Sequence, residues 1–145
     1  MPDILHRFTI DAPRERVHEL VATKDGVQLW WNGHPNSGEN SQFGVHFGGD
    51  EPAAVMRVEQ DTPEEVLWRV IAGPAEWIDT TVTFALQSRP DGGTTLLFTH
   101  AGWLEANEFM HGCSTNWGAY LASLKSGAER DEFAAYPAGE MSRWS

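Results

Sequence analysis

The chain has 145 residues, with 10 Lys and Arg against 21 Asp and Glu, a formal net charge of −11. A phosphate backbone repels such a surface, which argues against nucleic-acid binding, and the same sign disfavours anionic membranes. At 41% hydrophobic and 11% aromatic residues the composition is globular and of one-domain length, enough to bury about 68–70% of the unfolded surface without staples.

Alternation over 4–10 predicts a first strand, with Ile4, His6, Phe8 and Ile10 on one face. Asp11 is placed to cap a helix and Pro13 suits its first turn, with Val17, Leu20 and Val21 as the apolar stripe. Residues 24–31 predict a second short helix, with Thr23 as its cap. The Gly-, Asn- and Ser-rich stretch 32–42 reads as a loop.

Strand signals then follow one another. Phe43, Val45 and Phe47 alternate, and strands over 54–59 and 66–71 flank a turn at Asp61, Thr62 and Pro63. A long strand over 77–87 puts Ile78, Thr80, Val82, Phe84 and Leu86 on one face. A hairpin signal over 90–93 leads into a strand over 94–101, where Leu96, Phe98 and His100 share a face. The last helix, over about 107–125, carries Phe109, Cys113, Trp117, Tyr120, Leu121 and Leu124 at helical spacing, and Gly127 is its expected stop.

Strand, two short helices, about five strands, long helix: this order predicts an α+β fold. A curved antiparallel sheet of about six strands would wrap around the C-terminal helix. One domain is expected over 1–127, followed by a tail over 128–145 whose Phe133, Tyr136, Met141 and Trp144 either pack back or hang loose. One cysteine allows no internal disulfide, and no apolar run approaches the ~20 residues of a membrane span. The N-terminal residues show no signal-peptide pattern, so a reducing cytoplasm is the expected compartment.

The chain resembles the START-like superfamily with the helix-grip fold, in the branch named for the activator of the ninety-kilodalton heat-shock protein's ATPase. The matching pieces are Asp11 to Pro13 before the Val17 helix, the Trp30–Trp31 pair, and Thr81 to Phe84. Gly93 and Thr94 leading into 96–103, and Trp117 to Leu121, complete the set. The resemblance spans residues 4 to about 127 and implies a deep cavity between the long helix and the sheet. It does not carry a function, because this fold hosts carriers, receptors, cyclases and co-chaperones alike.

His100 is the sharpest candidate residue. It shares a face with Leu96 and Phe98, and a buried imidazole needs a partner. That partner is a neighbouring strand or helix, in a structural role, or the polar group of a ligand. Seven Trp suit the walls of an apolar pocket as well as a filled core. The pocket candidates are Trp31, Met56, Trp68, Trp77, Thr80, Phe98, His100, Met110, Cys113, Trp117 and Tyr120, with Thr80 or Tyr120 assisting His100 at a ligand's polar end. Cys113 lacks a base at helical spacing, since His111 points elsewhere, and reads as a small buried residue. No histidine pair has zinc spacing, neither glycine pair makes a phosphate loop, and Asp79, Glu105 and Glu108 read as a solvated rim. No catalytic residue, metal or cofactor is expected.

Three functions follow as expectations. The first is binding of a small hydrophobic or aromatic molecule. The second is a polyketide cyclase- or dehydratase-like enzyme using His100, which needs a second polar group in the cavity. The third is a co-chaperone-like interaction module, with a homodimer or a chaperone as partner.

Overall fold

The computed structural model describes residues 1–31, 33–34, 42–45 and 53–133, with the backbone alone for 33–34. In chain order the elements are β1 (Ile4–Ile10), α1 (Arg14–Ala22), α2 (Lys24–Trp30), β2 (Gly33–His34), β3 (Gln42–Val45), β4 (Ala54–Asp61), β5 (Glu65–Ala72), β6 (Thr81–Ser88), β7 (Thr94–Ala101) and α3 (Glu108–Arg130). Among the described residues the strands form one antiparallel sheet of seven, in the order β1-β7-β6-β5-β4-β3-β2. This is the expected α+β helix-grip fold, with two short helices after β1 and a long C-terminal helix. The two-residue β2 lies inside the stretch that the sequence reads as loop. Phe47, Tyr136, Met141 and Trp144 lie outside the described residues.

Sheet register sets which side chains meet α3. β1 returns to pair with β7, so Ile4 faces His100, His6 faces Phe98 and Phe8 faces Leu96. On the other side of β7, Val82, Phe84 and Leu86 oppose the same three residues. Alternation then buries His100, Phe98 and Leu96 on one face, together with Val66 and Trp68 of β5. Two irregularities between β4 and β5, near Val55 and between Val58 and Gln60, break the register and bend the strands. Glu59, at the second of these, receives Arg57 at 2.6 Å and Arg69 at 2.9 Å.

The short helices are joined through side chains that close the end of α1. The last carbonyls of a helix lack internal partners. Here Thr23 Oγ1 donates to Glu19 O at 2.9 Å, Trp30 Nε1 to Leu20 O at 2.8 Å, and Trp68 Nε1 to Val21 O at 3.0 Å. The Thr23 hydroxyl also accepts the Gly26 N–H at 2.9 Å, which caps α2. At the start of α1 the expected Asp11 cap is not made: Pro13 occupies the cap position without a side-chain bond. The Asp11 N–H instead donates to Glu129 Oε2 of α3 at 2.7 Å, and Lys125 joins that carboxylate to the Thr9 carbonyl of β1.

Three expected boundaries differ. Residues 77–80 are not strand: Pro74 to Asp79 form turns, with Trp77 N–H donating to Pro74 O, and Ile78 is 47% exposed. Phe109 is 41% exposed, because the buried stripe of α3 starts one residue later at Met110. Gly127 does not stop α3. The helix continues to Arg130 and closes at Asp131, whose φ of 56° lets its N–H reach the carbonyls of Ser126 and Gly127.

Two glycines make opposite predictions. A Cβ at Gly26 would lie 2.4 Å from the Glu19 carbonyl and 2.7 Å from Leu20 Cα, both rigid backbone. Gly26→Ala is expected to destabilise the fold by about 1–3 kcal/mol. A Cβ at Gly118, inside α3, would meet His6 Cε1 at an ordinary 3.9 Å. Gly118→Ala is expected to stabilise by up to about 1 kcal/mol through helix propensity. Thermal melts of the two variants check both signs.

Candidate functional site

His100 sits where β7 meets α3, fully buried. The indole of Trp117 on α3 donates to His100 Nδ1 at 3.1 Å. An indole can only donate, so Nδ1 carries the lone pair and Nε2 the proton. Nε2 lies 2.8 Å from Thr80 Oγ1, and the Thr80 hydroxyl in turn donates to the Trp77 carbonyl at 2.5 Å. Every polar atom of His100 and the Thr80 hydroxyl proton is therefore committed in one directed chain. Burial holds the imidazole pKa at about 3, so it is neutral at physiological pH. It has neither a free lone pair nor a free proton, which disfavours acid–base work and contact with a ligand's polar group alike.

Aromatic rings surround this chain. Trp77, Trp103 and Trp117 stand edge-on to the imidazole, with centroids at 5.2, 4.9 and 6.0 Å. Trp117 also contacts Phe98 and Trp31, each at 4.7 Å, and stacks with Trp77 at 6.4 Å. Trp31 lies parallel to Trp68 within 4° at 5.8 Å and touches Tyr120 at 6.1 Å. The structure thus joins eight expected site residues: Trp31, Trp68, Trp77, Thr80, Phe98, His100, Trp117 and Tyr120. Met56 and Met110 are buried as well, Met56 between Phe43 and Val70 in the sheet register.

Trp103 is not among the expected pocket residues, yet it is 1% exposed and packs edge-on against His100. Gly102, with φ of 95°, turns the chain after β7, so strand parity no longer tells which way Trp103 faces. Once the turn at Gly102 is allowed, an indole just past an inward-facing histidine is the available signal.

The indole N–H groups divide sharply. Those of Trp30, Trp68 and Trp117 reach oxygen or nitrogen acceptors, Trp77 Nε1 meets only the Cys113 sulfur, and Trp103 Nε1 is buried without a partner among the described residues. Burial pushes the half-buried Cys113 thiol up to about 11, too high for a nucleophile, against the hydrogen bond from the Trp77 indole, which favours the thiolate. Burial alone raises the Tyr120 phenol to about 12. Half-buried His6 lies 3.4 Å from Ser114 Oγ, and burial lowers its pKa against the opposing effect of Ser114.

Two hollows lie away from this cluster. One of about 280 Å³ runs between Thr23, Lys24 and the β4 residues Val58 to Asp61, and one of about 150 Å³ lies beside Arg14, His18 and Pro63. Asp79, Glu105 and Glu108 are exposed. Among the described residues no group of three His, Cys, Asp or Glu could hold a metal ion, and no helix is long and apolar enough to cross a membrane.

The sequence profile of the family described as activator of Hsp90 ATPase homolog 1-like protein matches residues 11–129. The fold is similar to the solution structure of the Aha1 dimer from Colwellia psychrerythraea, with a TM-score of 0.75 and 32% identity over 90% of this chain and 98% of that one. It is also similar to the protein SSP2350 from Staphylococcus saprophyticus (TM-score 0.70, 15% identity, 92% and 96% covered) and to CalU16 from Micromonospora echinospora (0.68, 20%, 91% and 76%). These last two likenesses show the fold alone. A comparison with the curated proteins finds no match.

The buried neutral imidazole has a consequence for pH. Its folded pKa of about 3 lies below the ordinary 6.5, so only the unfolded chain takes up a proton as pH falls through 6.5. Stability contributed by this group is complete above pH 6.5 and is lost on acidification, by about 2–3 kcal/mol at pH 4.5. His6 acts in the same direction. Denaturant titrations at pH 7.5 and 4.5 are expected to show the stability gap between wild type and His100→Gln narrowing by that amount. A gap that stays constant would sink the assignment.

Proposed function

The chain belongs to the activator of Hsp90 ATPase homolog 1-like family, and from that premise we propose that it binds a small hydrophobic or aromatic molecule between α3 and the sheet. The observation that carries this reading is the run of rings from Trp68 through Trp31 and Trp117 to Trp77, with Trp103 joined to it across the His100 ring. These rings touch one another on the face that α3 covers. A flat guest exchanges ring-on-ring contacts for ring-on-guest contacts of the same kind, so the interior can admit it at small cost in packing. Met56 and Met110 add side chains that adapt to irregular shapes.

In this reading His100 and Thr80 are struts rather than the polar handle of the site. Cyclase- or dehydratase-like chemistry is the weaker alternative, because His100 already spends both nitrogens on Trp117 and Thr80. Self-association is a compatible second reading, favoured by the dimeric relative at 32% identity. A chaperone partner rests on the family's description alone.

Titration with a panel of lipids, sterols and flavonoid-like aromatics is expected to change tryptophan emission and raise the melting temperature for at least one class. A ligand at 100 times its Kd adds about 2.7 kcal/mol. A panel that moves neither signal would remove the proposal's support. Sedimentation equilibrium tests the dimer: a concentration-independent mass equal to one chain would dismiss it.

A further inference from the structure

We infer that the guest carries a neutral hydrogen-bond acceptor, a carbonyl set in a flat apolar frame, received by the indole N–H groups of Trp77 and Trp103. The inference rests on the small-molecule reading above and names the chemistry of its polar end. Trp77 is 6% exposed and Trp103 1% exposed; among the described residues the Trp103 Nε1 has no acceptor, and the Trp77 N–H meets only the Cys113 sulfur, a weak acceptor. A buried donor without a partner costs free energy and is uncommon in folded proteins. Here one unanswered donor, Trp103, and one answered only by a thiol, Trp77, flank one imidazole, each edge-on to it.

The surroundings restrict what can satisfy them. His100 and Thr80 offer nothing, because their polar atoms are bonded to Trp117, to each other and to the Trp77 carbonyl. The Tyr120 ring lies against Trp31 instead. Among the described residues, what remains beside His100 is two indole donors and one weakly accepting thiol sulfur, so the group received must accept. It must also be neutral, since the indoles around His100 and the neutral imidazole itself carry no charge to offset a desolvated anion. Ketones, quinones and lactones on aromatic frames meet these terms; amines and carboxylates do not.

The position also supplies a way in. Trp77 lies in the turn before β6 and Trp103 in the connection from β7 to α3, two segments that Gly102 brings against Thr80. Each of these two indoles is followed by an exposed apolar residue, Ile78 at 47% and Leu104 at 85%. An apolar rim thus stands beside each of the two donors.

The probes are 9-fluorenone and fluorene, which share one ring frame and differ by a carbonyl in place of a methylene. They are titrated into the full-length ¹⁵N-labelled protein, with indole signals assigned through side-chain connectivities. Fluorenone is expected to bind at least about three times more tightly, and the Trp77 and Trp103 N–H signals to move downfield with it alone. Trp77→Phe and Trp103→Phe are each expected to weaken fluorenone about three- to tenfold more than they weaken fluorene, the scale of one hydrogen bond. Equal affinity for both probes, or unmoved indole signals, overturns the inference and leaves apolar binding intact. Binding of neither probe overturns the inference and counts against the small-molecule reading as well. Should a variant fail to fold, the wild-type indole signals decide.

Discussion

The hydrogen-bond chain from Trp117 through His100 and Thr80 to the Trp77 carbonyl is the interaction on which the interior depends. It runs from α3 to β7, then to the residue before β6, and ends in the turn that follows β5. Each link has one direction only, because an indole cannot accept and a neutral imidazole donates from a single nitrogen. The chain therefore fixes the histidine tautomer, the Thr80 rotamer and the height of Trp117 over the sheet together. With the imidazole locked, three indoles pack edge-on around it, and the aromatic run toward Trp31 and Trp68 follows from the position of Trp117.

A second set of bonds holds the opposite end. Three side chains take the last carbonyls of α1: Thr23 at the joint, Trp30 from α2 and Trp68 from the sheet. Trp68 is thereby a strand residue that closes a helix. Its ring lies parallel to Trp31, which touches Trp117. The helix pair and the His100 chain are thus connected through stacked rings, and a shift of either is felt by the other because close-packed interiors transmit displacement.

Much of this was legible where local chemistry fixed the phase. Asp91 accepts the Gly93 N–H at 2.8 Å in the β6–β7 turn, so alternation counted from that turn placed Leu96, Phe98 and His100 inward and bounded β7 correctly. Alternation failed over 77–80, where apolar Ile78 fitted a strand pattern but the turn from Pro74 and the left-handed Asp79 (φ 67°) set the backbone. Gly127 misled for a related reason. Phe133 lies against that glycine, while Asp131 supplies the left-handed residue expected of it. The partners of His100 could not be read at all. Thr80 and Trp117 are 20 and 17 residues away, and only the folding of α3 over the sheet brings them to the ring.

The tryptophans show why counting a residue type says less than asking where its polar atom goes. Trp30, Trp68 and Trp117 use their N–H groups to join elements, and their rings fill space as a consequence of that anchoring. Trp103 buries a ring of the same kind with its N–H unanswered among the described residues, and Trp77 offers its N–H only to the Cys113 sulfur. A core selected for stability alone would be expected to fill such positions with phenylalanine, which brings the apolar surface without the orphan donor. In the proposed reading, the two indoles on either side of one saturated imidazole receive an acceptor that arrives from outside the chain, a role phenylalanine could not fill.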